Sequence, residues 1–213
     1  LDLKTALVLG QMVGYTLSKF ASIKLGSEVP PARRALALLI AVALAEVSLF
    51  FFAFLPVEWK VLAIFVNGLP LGMVWGLIAF YLEGRNSSEV LFAALSCAFI
   101  VGSGVVKDVG LLVMRSMEVS FWWMPSVTGL FFFPLFLLML WLLDQVPPPS
   151  AEDRLQRSER RPMSGAERQA FLRRFAFGLS LQLLFYFFVS AYRDVRDIFG
   201  IEILRHLGYA DML

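Results

Sequence analysis

Residues 61–82 read VLAIFVNGLPLGMVWGLIAFYL and contain no charged side chain. A helix of this length crosses the ~30 Å hydrocarbon core of a bilayer. Gly68, Gly72 and Gly76 recur every four residues, so they line one helix face on which a neighbouring backbone can approach closely. Pro70 has no N–H and therefore predicts a bend in the same helix. The stretch predicts a membrane-spanning helix that packs tightly against another helix.

Stretches of the same kind recur along the chain, which has 213 residues, 59% of them hydrophobic and 17% charged. A soluble domain of this size would need more charge to cover its exterior. We therefore predict an all-α fold, a polytopic transmembrane helix bundle of about six spans that is integral to the lipid bilayer. The spans are expected near residues 4–23, 35–55, 61–82, 90–114 and 121–143, with the sixth running from 175 past 192.

The composition also excludes several classes of partner and site. A net charge of +2 gives no electrostatic basis for a nucleic-acid partner. Cys97 is the only cysteine and His206 the only histidine, so neither a disulfide nor a cysteine or multi-histidine metal site is available. We expect no metal and no cofactor.

One long polar connection, residues 144–174, divides the chain into three parts. Residues 1–143 hold five spans, 144–174 form a linker rich in proline and arginine, and 175–213 begin with the sixth span. Arginine-rich segments stay on the cytoplasmic side of a membrane. Alternation of the spans then places the basic residues of the other loops, Arg33, Arg34 and Arg85, on that same side.

The end of the linker carries a helix-start signal. Ser164 is followed three residues later by Glu167, the pattern of a capping box. The sequence therefore predicts a short amphipathic helix from Ser164 to Arg174, ahead of the sixth span.

Three charged residues, Glu46, Lys107 and Asp108, lie away from the ends of predicted spans, where each costs roughly 2.5–3.5 kcal/mol or more. Glu46 is midway along the second span, so its carboxylate must be protonated, paired or exposed to a wet cavity. A structural hydrogen bond and a proton-linked role both remain open for it. Lys107 is deep enough in the fourth span to need an anion nearby. Asp108, like Glu46 a candidate for a coupling or structural carboxylate, diverges by about 100° from Lys107 around the helix, so the two do not simply pair.

Four stretches resemble the major facilitator superfamily of transporters, closest to its organophosphate:phosphate antiporter branch. The block from Asn67 through Trp75 to Glu83-Gly84-Arg85 resembles the fourth helix and the loop after it. Gly14-Tyr15 with Ser18-Lys19-Phe20 resembles the second helix, Ser96-Cys97 with Val101–Val105 the fifth, and Phe185-Tyr186 through Arg193 the seventh. The whole chain is also similar to an uncharacterised bacterial family of such proteins, in which the Asn67–Trp75 and Tyr192-Arg193-Asp194 blocks are typical.

The resemblance implies that the chain covers helices two to seven of twelve, so the other helices of the same protein would be partners of this segment. The linker would then join the two six-helix halves. Arg193 falls where the branch has an arginine that grips substrate phosphate. Lys107, chosen for its cost in lipid, and Asn67 and Trp75 are further candidate substrate contacts. The implied function is secondary transport of a small, anionic or phosphorylated solute by alternating access, in a bacterial inner membrane. The loop after the first span departs from the pattern, because it lacks the common Asp-Arg pair.

Two other functions remain open. A protein of this fold without transport activity could act as a membrane scaffold or sensor, which the missing Asp-Arg pair favours. An intramembrane enzyme could use Ser103 and Lys107, whose spacing of four residues brings a hydroxyl beside an amine. That spacing is common by chance and no oxyanion site accompanies it, so we do not expect an enzyme.

Overall fold

The computed structural model describes residues 2–155 and 164–208, and within those ranges it is helical with no strand. The all-α prediction is confirmed. Seven α-helices and one 3₁₀ turn lie in the described ranges. In chain order they are α1 (Leu3–Glu28), the 3₁₀ turn (Pro31–Arg33), α2 (Arg34–Phe54), α3 (Val57–Leu82), α4 (Ser88–Ser116), α5 (Met124–Asp144), α6 (Ala151–Leu155) and α7 (Gly165–His206).

Five of the described helices are long and apolar enough to cross a membrane. They are α2 with its preceding turn, α3, α4, α5 and the part of α7 from Gly165 to Arg196. This supports the prediction of a polytopic integral membrane protein. The helices α1 and α3 have the same length, 26 residues, but α1 is more polar and is not among the five. Its role as a span remains a prediction.

The described residues fall into two compact units, 2–155 and 164–208, with the break inside the predicted linker. The linker's Arg157, Arg160, Arg161 and Pro162 lie outside the described residues. The second unit is a single helix of 42 residues.

The capping box predicted at the start of α7 is confirmed. The Ser164 hydroxyl accepts a hydrogen bond from the Glu167 N–H, and the Glu167 carboxylate accepts one from the Ser164 N–H. The prediction of a separate short helix ending at Arg174 is wrong. No proline occurs between Gly165 and His206, so nothing in the sequence ends the helix before the apolar run begins.

The tightest helix contact lies between α1 and α3, which meet through their glycines. A Cβ on Gly68 would stand 2.5 Å from the Gln11 carbonyl oxygen, and one on Gly72 would stand 2.6 Å from that of Tyr15. From the other side, Gly14 lies directly against the carbonyl of Phe65. The glycine face predicted on residues 61–82 is therefore a packing face, and its partner is α1.

The helix α2 packs between α3 and α5. Its small residues Ala41 and Ala45 are buried, and its Leu38 forms a buried apolar cluster with Leu77 of α3 and Leu140 of α5. Pro70 lies inside α3, which continues past it from Val57 to Leu82.

The helix α4 is mostly exposed within the first unit. It touches α5 at Gly110, where a Cβ would stand 3.0 Å from the Met124 sulfur. Gly102 and Gly104 face open space. Only Ser88, Gly110 and Val113 are buried along the described length of α4, so most of this helix has room for lipid, water or further protein.

We predict that Gly68→Ala destabilises the protein by about 1–3 kcal/mol, because the added methyl group meets backbone atoms that cannot move independently. Gly76→Ala is the matched control on the same helix face, since its nearest new contact would be the Ser22 hydroxyl at 3.9 Å. Unfolding of the purified protein in detergent micelles, followed by circular dichroism, measures both. Equal stability of the two variants would contradict the α1–α3 contact.

Candidate functional site

Glu46 joins the middle of α2 to the first turns of α5. It lies about 3 Å along the axis from the midpoint of α2. The Ser126 hydroxyl, itself buried, donates a hydrogen bond of 2.8 Å to Oε1 of Glu46. The other carboxylate oxygen lies against Gly129, where any side chain would collide with it. Ser126 and Gly129 are three residues apart and therefore lie on one face of α5. Ser126 supplies the hydroxyl donor, and the missing side chain of Gly129 leaves space for the same carboxyl group.

Asn67 connects three helices through its side-chain amide. It accepts a hydrogen bond of 3.0 Å from Nε2 of Gln11 on α1 and donates one of 2.9 Å to the Ala45 carbonyl on α2. The side chain is 2% exposed. Asn67, expected to contact substrate, is placed here as a buried polar connection beside the glycine face.

Trp75 connects α3 to α4. Its ring packs edge-on against Phe99 with the centroids 5.4 Å apart, and it lies 6.5 Å from the ring of Phe92. Trp75 is half-buried. It therefore forms part of the limited contact that α4 makes with the rest of the unit.

Lys107 and Asp108 are exposed on α4. Lys107 lies about 8 Å along the axis from the midpoint of α4, inside the ~15 Å half-thickness of the hydrocarbon core. The Ser103 hydroxyl donates to the Ile100 carbonyl of its own helix at 3.0 Å. Because lipid contact is costly for charged side chains at this depth, Lys107 and Asp108 require polar surroundings beside α4.

Arg193 belongs to the second unit and is exposed on α7. Its Nη2 and Nε lie 2.9 Å and 3.1 Å from Oδ1 of Asp194, the next residue in the chain. The side chains of Arg193 and Asp194 are 55% and 38% exposed. The guanidinium therefore has an acidic neighbour and still presents most of its surface outward.

Lys60 is a buried cation at the start of α3. Its side chain is 3% exposed, and its ammonium donates to the carbonyls of Phe52 at 2.5 Å and Ala53 at 3.4 Å. It also lies 4.9 Å and 4.3 Å from the ring centres of Phe52 and Trp122. These carbonyls end α2, where no further turn can pair them, so Lys60 caps that helix from the first turn of α3.

The signal for Lys60 was present in the sequence. A lysine in the first turn of a helix is opposed by that helix's own dipole, so it tends to serve another group. Here the preceding helix ends only a few residues earlier, at Phe54.

Two arginines serve the opposite end of α3, on the side that the sequence predicts to be cytoplasmic. Arg34 donates to the Phe80 carbonyl at 3.2 Å and stacks on the Phe80 ring, 5.1 Å from its centre. Arg85 donates to the Tyr81 carbonyl at 3.1 Å and also to the carbonyl of Pro147. The second contact ties the α3–α4 loop to the start of the linker.

Asp153 on α6 strengthens that tie. Its carboxylate accepts a hydrogen bond of 2.8 Å from the Asn86 N–H, and others from the N–H and hydroxyl of Ser150. The hydrogen bond from the Asn86 N–H is the main cause, and those from Ser150 are further causes, of a pKa of Asp153 below its ordinary value. The start of the linker is therefore anchored to the first unit at neutral pH.

The described arrangement gathers some of the candidate residues and separates others. Glu46 and Asn67 lie inside the α1–α2–α3–α5 packing, Trp75 lies at its edge, and Lys107 and Asp108 stand on the exposed helix α4. Within residues 2–155 and 164–208, no group of three or more His, Cys, Asp or Glu side chains could hold a metal ion.

A family described as "Family of unknown function (DUF5690)" matches residues 1–212. The chain belongs to this family. No curated protein and no solved structure matches it significantly. The family has no assigned function, so this match does not indicate an activity.

We predict that Lys60→Met destabilises the protein by about 1–3 kcal/mol, because the terminal carbonyls of α2 lose their donor while remaining buried. Lys19→Met is the control: Lys19 is exposed and its ammonium lies 4.6 Å from the ring centre of Tyr15, a contact worth ~0.5–1 kcal/mol. Thermal unfolding in micelles compares them. A loss no larger for Lys60→Met than for Lys19→Met would argue against the cap.

Proposed function

We propose that this protein is a secondary transporter of the major facilitator type, located in a bacterial inner membrane and moving a small anionic solute by alternating access. Phosphorylated solutes are the first class to test, because the resemblance at Arg193 implies phosphate recognition. A guanidinium suits that ligand, since it is always charged and can donate two parallel hydrogen bonds.

The observation that carries the proposal is the pair Lys107 and Asp108. Both are exposed on a transmembrane helix at a depth where lipid contact is costly. Charged residues within spans generally face water-filled cavities or polar partners. A solute pathway beside α4 supplies such surroundings, and Lys107 would then attract an anion into it.

Glu46 has a separate role in the proposal. Its carboxyl group lies between two spans, near the middle of α2, with Ser126 in the first turn of α5 as hydrogen-bond donor. Gaining or losing a proton there changes the charge of the α2–α5 contact. Glu46 would thereby link proton movement to the rocking of helices.

A second candidate is a membrane scaffold or sensor with this fold and no transport. It is favoured by the way two proposed binding residues are engaged. The side-chain amide of Asn67 hydrogen-bonds to α1 and α2, and the Arg193 guanidinium forms an ion pair with Asp194. A pathway would require at least Arg193 to exchange its partner for substrate.

We predict that Lys107→Gln and Arg193→Lys each lower anion uptake roughly tenfold or more, the loss expected when a charge-assisted hydrogen bond worth ~1.5–3 kcal/mol is removed. The full-length protein is reconstituted in proteoliposomes, and entry of radiolabelled inorganic phosphate and glycerol 3-phosphate is measured. Arg173→Lys, at an exposed arginine of α7, is the control and should transport normally.

Each failure in this assay has its own meaning. Uptake that is unchanged in both variants would disprove the site assignment while keeping the transporter. No uptake of any anion by the parent protein would instead favour the scaffold or sensor.

We predict that Glu46→Gln retains the fold but removes the stimulation of uptake by an imposed pH gradient. Glutamine keeps the oxygen that accepts from Ser126, whereas it cannot ionise. Ser126→Ala is the complementary variant: it removes the hydrogen bond and leaves the ionisable group, so pH-driven uptake should persist. Gradient-driven uptake in Glu46→Gln equal to that of the parent would assign Glu46 a structural role.

A further inference from the structure

An apolar groove of about 820 Å³ runs between α1, α2 and α3. Small buried residues form its floor, among them Ser18, Ala41 and Ser48. The Ser48 hydroxyl donates to the Ala45 carbonyl of its own helix at 2.8 Å, so it does not need an external partner. Half-exposed Leu17, Leu44 and Val66 form the rims, which leaves the groove open along one side.

The α2 wall of the groove is a single helical stripe. It consists of Ala37, Ile40, Ala41, Leu44, Val47, Ser48 and Phe51, which recur at three- and four-residue spacing. Arg33 precedes this stripe by four residues, directly before α2, and its side chain is exposed. A cation therefore stands one helical turn beyond the groove, at the end that the sequence predicts to be cytoplasmic.

The length of the groove distinguishes between possible occupants. Its lining runs from Val66 to Leu77 on α3, about 16 Å along the helix axis, and from Ala37 to Phe51 on α2, about 21 Å. Both lengths are shorter than the ~30 Å hydrocarbon core. A lipid tail from one leaflet fits a groove of this length, whereas a membrane-crossing helix would need a groove along the full thickness of the hydrocarbon core.

We propose that the groove binds an anionic phospholipid of the cytoplasmic leaflet, with one acyl chain along the α2 stripe and the phosphate beside Arg33. The lining offers an almost wholly apolar surface to the chain. The cytoplasmic leaflet is the one that carries anionic lipids, and basic residues at its surface attract them. This lipid site is independent of the solute pathway proposed beside α4.

The test uses phospholipids that carry a photoreactive diazirine in the acyl chain. The full-length protein is reconstituted in phosphatidylcholine vesicles that contain either labelled phosphatidylglycerol or labelled phosphatidylcholine, and cross-linked peptides are identified by mass spectrometry. The α2 segment from Ala37 to Phe51 should be labelled about fivefold more by phosphatidylglycerol, the selectivity expected from one basic residue at the surface.

Two variants separate the headgroup from the chain. Arg33→Gln should abolish the preference for phosphatidylglycerol while keeping the label on α2. Leu44→Trp should reduce the label, because the larger ring occupies the groove. Leu36→Trp is the matched control, since Leu36 lies on the same helix with the same exposure, 54% against 55%, but does not line the groove.

Three results would overturn the proposal. Equal labelling by the two lipids would show that no headgroup is selected. Labelling of α2 no stronger than that of the exposed apolar residues of α5 would show ordinary contact with bulk lipid. Absence of label from both lipids on the α2 residues that line the groove would show that lipid does not occupy it.

Discussion

The close approach of α1 and α3 is the contact on which the first unit depends. Lipid tails are as apolar as leucine, so helices in a membrane gain little from burying apolar side chains and associate through close packing and hydrogen bonds. Gly68 and Gly72 bring the two backbones within van der Waals distance. Asn67, next to Gly68, then hydrogen-bonds to both α1 and α2. One turn of α3 thus fixes the positions of its two neighbours.

Cations complete this packing at the helix ends. Carbonyls at the C-terminal end of a helix lack internal partners, and they are costly to leave unpaired near lipid. Lys60 caps α2, while Arg34 and Arg85 cap α3 at the opposite side. Arg34 and Arg85, which the sequence predicts to lie on the cytoplasmic side, therefore also contribute hydrogen bonds. Hydrogen bonds from Arg85 to the Pro147 carbonyl and from the Asn86 N–H to Asp153 hold the start of the linker.

The candidate residues fall on two kinds of helix. Glu46 and Asn67 lie among the packed helices α1, α2, α3 and α5, and each hydrogen-bonds to a neighbouring helix, as Glu46 does to Ser126 of α5. Lys107, Asp108 and Arg193 stand instead on helices that are mostly exposed within their own units. Residues that only held the bundle together would be expected on the first set of helices. Charges on the second set suit contact with a solute or with water, which is the basis of the proposed transport function.

The sequence by itself determined the helical class, the approximate ends of the helices, the glycine packing face and the cap at Ser164, because periodicity and local hydrogen bonding are encoded over a few residues. It wrongly divided α7 into a short helix and a separate span, since an amphipathic segment and an apolar segment can share one unbroken helix. Only the tertiary structure decided that Asn67 is buried between helices and which carbonyl groups Lys60 binds at the end of α2. Those outcomes depend on which helix faces meet and how closely, and residues far apart in the chain set that geometry together.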